Sequence, residues 1–499
     1  MKKFWIVLLS MGLLAAFSIP AFAIDVKFSG EYRVRGWYDN NPSGLEENAV
    51  TNAAEALWKA SGGALGTNYK AEKSASFYDN RLRIQTDFVV AEGLTLTTRF
   101  DALEKKWGDK TYGFGRGGYP YTPATGADSS GRVVTAGAKE QENIEFERAY
   151  VTFKSAIGLW MVGYQQFMAF GPDPANSSTT RPGIKYVLPI GNLILIAAIE
   201  KGNESDVAGD IGQWREADQD IYDLGFVYKL GKMGDVGMMI QHARDESFKP
   251  FGTGVALAGL DNGFEMVFTT FDPYVRLNFG PVLIEAEGMY LDGELKWNNR
   301  AKMGAAALAL PGYIGRAAAA GKDADLEEIA VFFHAKVDLA PVYFGIYAGY
   351  GSGDDIGTAD EVEGGMGMAL KAGSDFKPCL MMFNDDYATQ FAGTNGVASL
   401  GSYLDNVKFG QLYVGVKPTP KLDVRASYSY AKADEATVAN QNTKIGSEID
   451  LTASYKIYDN LEYMLGAAYF KTGKYFKYGN AALDVEDDYM LMHKLTLKF

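Results

Sequence analysis

The sequence predicts an all-β protein, namely a single transmembrane antiparallel β-barrel of about 18 strands, with about 16 as the alternative count. Three observations predict this fold. Many segments alternate apolar and polar residues, short turns alternate with long polar loops, and the last strand ends at Phe499. One apolar face and one polar face suit a strand that lies between lipid and a water-filled lumen.

The N-terminus has the pattern of a secretory signal peptide. Lys2 and Lys3 precede an apolar stretch, and Pro20 precedes a site of small residues that ends at Ala23. A basic start, an apolar centre and a small-residue end are typical of a cleaved leader. We therefore expect a signal peptide over residues 1–23, cleavage after Ala23, and one barrel domain over residues 24–499. An uncleaved membrane anchor is the alternative, but the proline and the small residues disfavour it.

The composition excludes several classes of function. The chain has 499 residues, a formal net charge of −14, three histidines and one cysteine, Cys379. An acidic chain lacks the basic surface that nucleic acid requires, so we expect no nucleic-acid partner. One cysteine cannot form an intrachain disulfide or a thiolate metal cluster. Because no hydrolase, zinc-protease or P-loop motif is present, we expect no enzyme activity, no cofactor and no metal.

The turns and loops determine the predicted strand count. Glycine, proline and asparagine, the residues that tight turns require, mark eight short turns. These lie near residues 91–93, 156–158, 189–191, 231–235, 280–281, 340–341, 418–421 and 459–460. Nine longer polar segments separate the resulting hairpins. We therefore expect both termini on the side of the short turns, with those turns periplasmic and the long loops extracellular.

The alternation within strands predicts which residues face the lumen. In the second strand, Leu82 and Ile84 alternate with Arg81 and Arg83. If the apolar set faces lipid, the arginines line the lumen. A soluble sandwich with its apolar face turned inward has the same periodicity. Aromatic residues near strand ends favour the barrel, because they match its interfacial girdles.

The same register directs six arginines of the first four strands toward the lumen. They are Arg33, Arg35, Arg81, Arg83, Arg99 and Arg148. One interpretation is a permanently charged wall whose field selects solutes. The other is pairing across strands with Glu31, Asp87 and Asp101. Ile144 and Phe146 conflict with the register of the fourth strand and predict a bulge or a loop boundary there.

Three segments resemble general porins of the Gram-negative outer membrane. Residues 81–88 with 93–100 resemble the second porin hairpin, and residues 146–153 with 162–165 resemble the fourth and fifth strands. The terminal Phe499 resembles the signature that the barrel-assembly machinery reads. The resemblance implies an outer-membrane location, contact with outer-membrane lipid and lipopolysaccharide, recognition by that machinery, and a homotrimer.

The resemblance also implies a constriction. In that family the loop after the fifth strand folds into the barrel and narrows it. Here that loop is residues 167–183, with Asp173 as its one acidic residue, and Tyr164 stands where the family often has arginine. We therefore expect this loop to face the arginines, with Tyr164 and Asp173 lining the pore.

The expected function is that of a porin for passive diffusion of small hydrophilic solutes and ions. The alternative is a substrate-specific channel for sugars or organic acids, and a third class is a barrel without transport, such as an adhesin. We expect the acidic loop at 354–363 to be solvated, with divalent-cation bridging to lipopolysaccharide as its alternative role. Cys379, in the longest loop, is expected to be passive.

Overall fold

A computed structural model describes most of the chain after residue 23. The described residues are 24–45, 74–107, 144–167, 169–172, 179–204, 218–247, 264–297, 322–358, 360–364, 376–391, 396–401 and 403–499. The predicted signal peptide and its cleavage site lie outside these ranges.

Eighteen long antiparallel strands close into one barrel, and a two-residue strand, β14, is added beside it. The first nine strands are β1 (Asp25–Asp39), β2 (Ala75–Ala91), β3 (Leu94–Lys106), β4 (Ile144–Ser155), β5 (Gly158–Gln166), β6 (Thr180–Ile190), β7 (Leu193–Asn203), β8 (Gln219–Lys229) and β9 (Gly234–Asp245). The others are β10 (Phe264–Phe279), β11 (Val282–Trp297), β12 (Ala324–Leu339), β13 (Val342–Gly351), β14 (Glu361–Val362), β15 (Val407–Thr419), β16 (Leu422–Lys432), β17 (Lys444–Tyr458), β18 (Leu461–Thr472) and β19 (Asp488–Lys498). The expectation of about 18 barrel strands is confirmed, and the alternative of about 16 is excluded.

The sheet closes because its first and last strands pair. β1 pairs with β19 from Glu31↔Lys498 to Asp39↔Met490. Elsewhere each barrel strand pairs with its neighbours in the chain, except that β13 pairs directly with β15 and β14 lies parallel to β12. Closure leaves no open edge that would expose unpaired backbone groups to another chain.

The described helices are short. One α-helix, α1 (Asp385–Gln390), lies in the connection between β13 and β15, and 3₁₀ turns occur at Gly231–Met233, Val397–Leu400 and Lys474–Lys477. In this part of the chain, none of the helices is long and apolar enough to cross a membrane.

All eight predicted short turns join consecutive barrel strands. In one of them Gly280 has φ 59°, a left-handed conformation that glycine adopts without a steric penalty. Asp25 pairs with Val89 beside the turn at 91–93, and Lys498 donates to the carbonyl of Asn460 in another such turn. Both ends of the described barrel therefore lie at the rim of the short turns, as predicted.

Strand β12 shows how the alternation separates the two faces of the barrel. Ile329, Val331 and Phe333 are exposed on the outer face, whereas Phe332 and His334 are buried on the inner face. The apolar side chains of the outer face can contact lipid, whereas the polar side chains of the inner face point into the barrel and away from lipid. The predicted orientation of this strand is confirmed.

The predicted irregularity in β4 is a bulge. Arg99 pairs with Arg148, but the next residue, Phe100, pairs with Phe146, so Glu147 is an extra residue in β4. The extra residue shifts the alternation, and Phe146 therefore lies exposed on the outer face.

The inner face supports an apolar cluster that the sequence analysis did not predict. Residues 376–401, from the connection between β13 and β15, bring Met382, Phe383 and Tyr387 into this cluster with their side chains fully buried. Phe383 packs edge-on against Phe409 of β15, with ring centroids 5.2 Å apart. Burying each such side chain contributes about 1.5–3 kcal/mol, so this packing holds the connection inside the barrel.

Candidate functional site

The six predicted arginines lie together on the inner wall formed by β1 to β4. The strand register places Arg33 opposite Arg81 and Arg99 opposite Arg148. Arg33, Arg35 and Arg99 are buried. Period-two alternation along strands in register is sufficient to bring these side chains to one face.

Most of these arginines pair with acidic residues of the same wall. The pairs are Arg35–Asp79 (2.9 Å), Arg81–Glu31 (3.2 Å), Arg83–Asp101 (2.6 Å) and Arg99–Glu147 (3.2 Å). Two of the three partners considered from the sequence are present. The third, Asp87, instead accepts from the Thr97 hydroxyl at 2.7 Å and from the Gln85 amide at 3.3 Å.

A carboxylate from α1 reaches the arginines of β1. Asp386 Oδ1 lies 2.9 Å from Arg35 Nη1 and 3.6 Å from Arg33 Nη1, and Oδ2 lies 3.3 Å from Lys377 Nζ. Lys494 is the strand partner of Arg35 and adds a fourth cation around this carboxylate. We call Arg33, Arg35, Lys377, Lys494 and Asp386 the charge cluster.

The charge cluster keeps Asp386 ionised. Burial alone would raise the pKa of this carboxyl, but nearby cations outweigh that effect. They hold the pKa well below its ordinary value, with Arg35 contributing most, followed by Lys377, Arg33 and Lys494. Asp386 therefore carries its negative charge throughout the physiological pH range.

Local sequence explains how α1 presents Asp386. The side-chain oxygen of Asn384 accepts from the backbone N–H of Tyr387 at 3.3 Å and caps the helix. The Asn384 amide donates to the carbonyls of Cys379 at 2.9 Å and Leu380 at 3.1 Å. The hydrogen bonds of Asn384 thus connect the start of α1 to the preceding turn, and this fixes the position of Asp386.

The same connection is fastened to strands around the barrel. The Glu448 carboxylate of β17 accepts from the backbone N–H groups of Met381 at 2.8 Å and Met382 at 2.7 Å. On the opposite side of the segment, the Tyr387 hydroxyl donates to Asp39 Oδ2 of β1 at 2.7 Å. Burial, followed by the charge of Asp39, raises the pKa of Tyr387 and keeps this hydroxyl a proton donor.

Cys379 belongs to this connection, and its side chain is buried. Its Sγ lies 3.2 Å from Ser429 Oγ, and it forms a buried group with Glu448 and Asp450. Burial raises the pKa of the thiol, and the two carboxylates raise it further. The Cys379 thiol is therefore held in its neutral form.

The start of the predicted constriction loop also contacts the inner wall. The rings of Phe170 and Tyr274, in β10, meet edge-on with centroids 5.0 Å apart. Arg276 Nη2 donates to the carbonyl oxygen of Gly171 at 3.2 Å. Phe170 also packs with Val227 of β8, so the start of the loop lies against β8 and β10. Asp173 lies outside the described residues. Among the described residues, the loop carboxylate that meets the arginines belongs to α1.

Tyr164 does not line the lumen, so this prediction is wrong. Tyr164 is 43% exposed and lies on the same face as the exposed Val162. It pairs with Ala149 on the outer face of β4, whereas the next residue, Gln165, is buried on the inner face. Successive side chains of a strand point to opposite faces, so a register that is wrong by one residue moves a side chain from the lumen to the outer face. The resemblance to the porins did not give the register of β5.

The contact of Asp386 with the arginines was not predicted from the sequence, nor was the position of residues 376–391 inside the barrel. One local signal was present, since Asn384 followed by two aspartates is typical of a helix start after the apolar residues 380–383. That signal predicts a helix, but it does not indicate which strands the helix contacts.

No protein-family model matches this sequence, and no curated protein matches it. The crystal structure of Pseudomonas aeruginosa OccK9 (OpdG) is similar, with a TM-score of 0.50, 13% identity, and coverage of 95% of this chain and 99% of that chain. P. aeruginosa OccK2 (OpdF) in complex with glucuronate has a TM-score of 0.47, 12% identity, and coverage of 95% and 98%. P. aeruginosa OpdK with vanillate has a TM-score of 0.47, 10% identity, and the same coverages. At this identity the likeness to OccK9 shows the barrel fold, and membership of the general trimeric porins is not shown.

Proposed function

We propose that this protein is a channel of the Gram-negative outer membrane for small hydrophilic solutes and ions. One observation carries this proposal: a closed barrel has an apolar outer face and a charged inner face with six neighbouring arginines. Lipid is the solvent that an apolar outer face suits, and charged groups inside a barrel line a path for water and polar solutes. The mechanism is diffusion without a cofactor or an energy source.

The charge cluster supports selective passage as a second candidate function. Four cations surround the carboxylate of Asp386, and Asp79 pairs with only one of them, Arg35, so the charge cluster keeps an excess of positive charge. The arginines of β2 and β3 continue the wall and are paired with carboxylates. An excess of fixed positive charge concentrates anions at a narrow zone. Among the specific channels considered from the sequence, this arrangement favours organic acids over uncharged sugars.

Several further roles belong to the same proposal. Residues 1–23 direct export, the short turns face the periplasm, and residues 167–183 narrow the lumen together with residues 376–401. Contacts with lipopolysaccharide and with two further copies of the chain would cover the apolar outer face. Phe499, half exposed at the end of β19, is the proposed signal for the barrel-assembly machinery.

Planar-bilayer recording of the purified protein tests the proposal. We expect steady single-channel conductance and a reversal potential, in a KCl gradient, that shifts toward cation preference in the double variant Arg81→Gln/Arg83→Gln. Arg244→Gln is the matched control, because Arg244 is half exposed and pairs with Glu246, away from the arginine wall. A folded barrel that does not conduct would refute the channel.

Adding solutes to the same recording separates the two candidates. For a selective channel we expect saturable block by an organic anion such as gluconate and little block by uncharged maltose. For simple diffusion, neither solute blocks the current in a saturable way. Block by maltose alone would contradict the preference for organic acids.

A further inference from the structure

A cavity lies in the inner wall beside the start of the predicted constriction loop. Its volume is about 180 Å³, and it lies between Phe167, Ala169 and Phe170 on one side and strands β6 to β11 on the other. Its apolar lining includes Phe170, Met239 and Met289, and its polar lining includes Lys185, Thr270 and Asp272. An apolar cavity of about 150 Å³ holds benzene, so this volume suits a molecule of similar size.

Two polar atoms of this lining have unmet hydrogen-bonding capacity. Thr270 is 3% exposed and Asp272 is 8% exposed, and neither Thr270 Oγ1 nor Asp272 Oδ1 has a hydrogen-bond partner among the described residues. Leaving such a buried group unpaired costs about 1–3 kcal/mol. A carboxylate oxygen only accepts, so the missing partner at Asp272 is a donor.

The cations near the cavity have partners elsewhere. Arg181 pairs with Glu200 at 3.0 Å, and Arg276 pairs with Glu285 at 2.7 Å. The Lys185 ammonium donates to the carbonyl of Gln166 at 2.8 Å and lies over the ring of Phe167. In the described part of the chain, Asp272 therefore has no cationic partner of its own.

The local charge favours a positive ligand. Asp223 lines the cavity together with Asp272, and Asp223 accepts from Gln241 Nε2 at 2.9 Å. Two carboxyl groups thus line the cavity, against one lysine. Met239, Met289 and Phe170 offer polarisable surface, which suits an organic cation.

We propose that this cavity binds a small organic cation, with a primary ammonium group at Thr270 and Asp272 and a short apolar chain against Phe170, Met239 and Met289. An ammonium group supplies three hydrogen-bond donors, which is enough for the two unpartnered oxygens, Thr270 Oγ1 and Asp272 Oδ1. A bare calcium ion fits poorly, because it requires six to eight oxygen ligands. This site goes beyond the proposed channel and does not depend on conduction.

Calorimetric titration of the purified barrel in neutral detergent tests this site directly. The probe is n-butylammonium chloride, and sodium butyrate is the control of similar size and opposite charge. We expect saturable binding of n-butylammonium and none of butyrate, with affinity reduced at least tenfold by Asp272→Asn and several-fold by Thr270→Val.

Asp423→Asn is the matched control variant, because this carboxylate belongs to β16 and accepts from the Tyr343 hydroxyl at 2.7 Å. It should bind n-butylammonium as the unaltered protein does. Heat-modifiable migration verifies folding, and Thr270→Val tests the site if Asp272→Asn does not fold. Absence of saturable binding, equal binding of butyrate, or unaltered affinity in the folded Asp272 or Thr270 variant would overturn the proposal. Because binding is measured without current, such a result is separate from a failure to conduct.

Discussion

Asp386 in the helix of a long connection forms an ion pair with Arg35 of β1, with Oδ1 and Nη1 2.9 Å apart. β1 does not adjoin β13 or β15, the strands that this connection joins. The pair therefore holds the connection against a distant part of the barrel wall. It also neutralises part of the positive charge of the lumen.

The substitution Asp386→Asn should release this contact. A hydrogen bond to a charged group contributes about 1.5–3 kcal/mol, so the residues around α1 should separate from β1 more often. We expect higher single-channel conductance and stronger anion preference, because the cations of the charge cluster lose their carboxylate. Asp385→Asn, on the adjacent residue, is the matched control. Equal effects of the two substitutions would contradict a specific role for Asp386.

The lowered pKa of Asp386 predicts the pH range in which the contact is lost. A carboxyl with a depressed pKa contributes stability that is complete above its ordinary pKa of about 3.9 and declines as pH falls below it. Conductance and ion selectivity should thus change little between about pH 8 and pH 5 through this group. Because Arg35 and the neighbouring cations hold the pKa of Asp386 well below its ordinary value, its carboxylate stays charged in the folded barrel below about pH 4, and the difference from the Asp386→Asn variant should persist there. Convergence of the two proteins between about pH 5 and about pH 4 would contradict the depressed pKa.

Cys379 should report whether the connection is docked. A buried thiol with a raised pKa carries little thiolate at pH 8, so maleimide should label it far more slowly in the folded barrel than in the unfolded chain. Glu448→Gln weakens the hydrogen bonds from the backbone N–H groups of Met381 and Met382 that hold the connection over the thiol. We therefore expect faster labelling in that variant, measured by mass spectrometry. The double variant Cys379→Ser/Val438→Cys, with its thiol on an exposed loop, sets the upper rate.

Deleting residues 172–180 should raise single-channel conductance. Phe170 and Gly171 hold the start of this loop against Tyr274 and Arg276, so shortening the loop should remove chain from the lumen. A deletion of equal length in another connection, at residues 248–256, is the control. If a correctly folded barrel conducts as before, the loop is not part of the constriction.

Deleting Phe499 should lower the amount of folded protein in the outer membrane. Its backbone N–H and carbonyl both hydrogen-bond to Gly30, at 3.1 and 2.8 Å, and complete the pairing that closes the barrel. Phe499→Tyr, which keeps a terminal aromatic residue, should retain most of the yield. Heat-modifiable migration of outer-membrane fractions measures the folded fraction. An unchanged folded fraction after the deletion would show that the terminal residue is not an assembly signal.

The sequence by itself determined the barrel and its number of strands. Alternation, turn residues and the bulge are local properties, since each depends on neighbours within a few positions. The glycine at position 280 predicts a turn without knowledge of the rest of the chain. The conflict of Phe146 with its register predicts a bulge or a loop boundary, and the structure has the bulge. Side-chain alternation then places Arg33 and Arg81 on the inner face.

Only the tertiary structure decided what occupies the lumen. The connection that carries Asp386 is held by contacts with Arg35 and Glu448, and Phe170 is held by Tyr274, all from strands distant in sequence. No local periodicity records such pairings, because a charged residue in a loop has the same sequence environment whether it meets water or an arginine. Tyr164 is a second example. The resemblance to porins predicted that its side chain faces the lumen, but the pairing of β5 with β4 places it on the outer face of the barrel. The strands are determined by residues that are close in sequence, whereas the shape of the channel is determined by packing between residues from distant strands and loops.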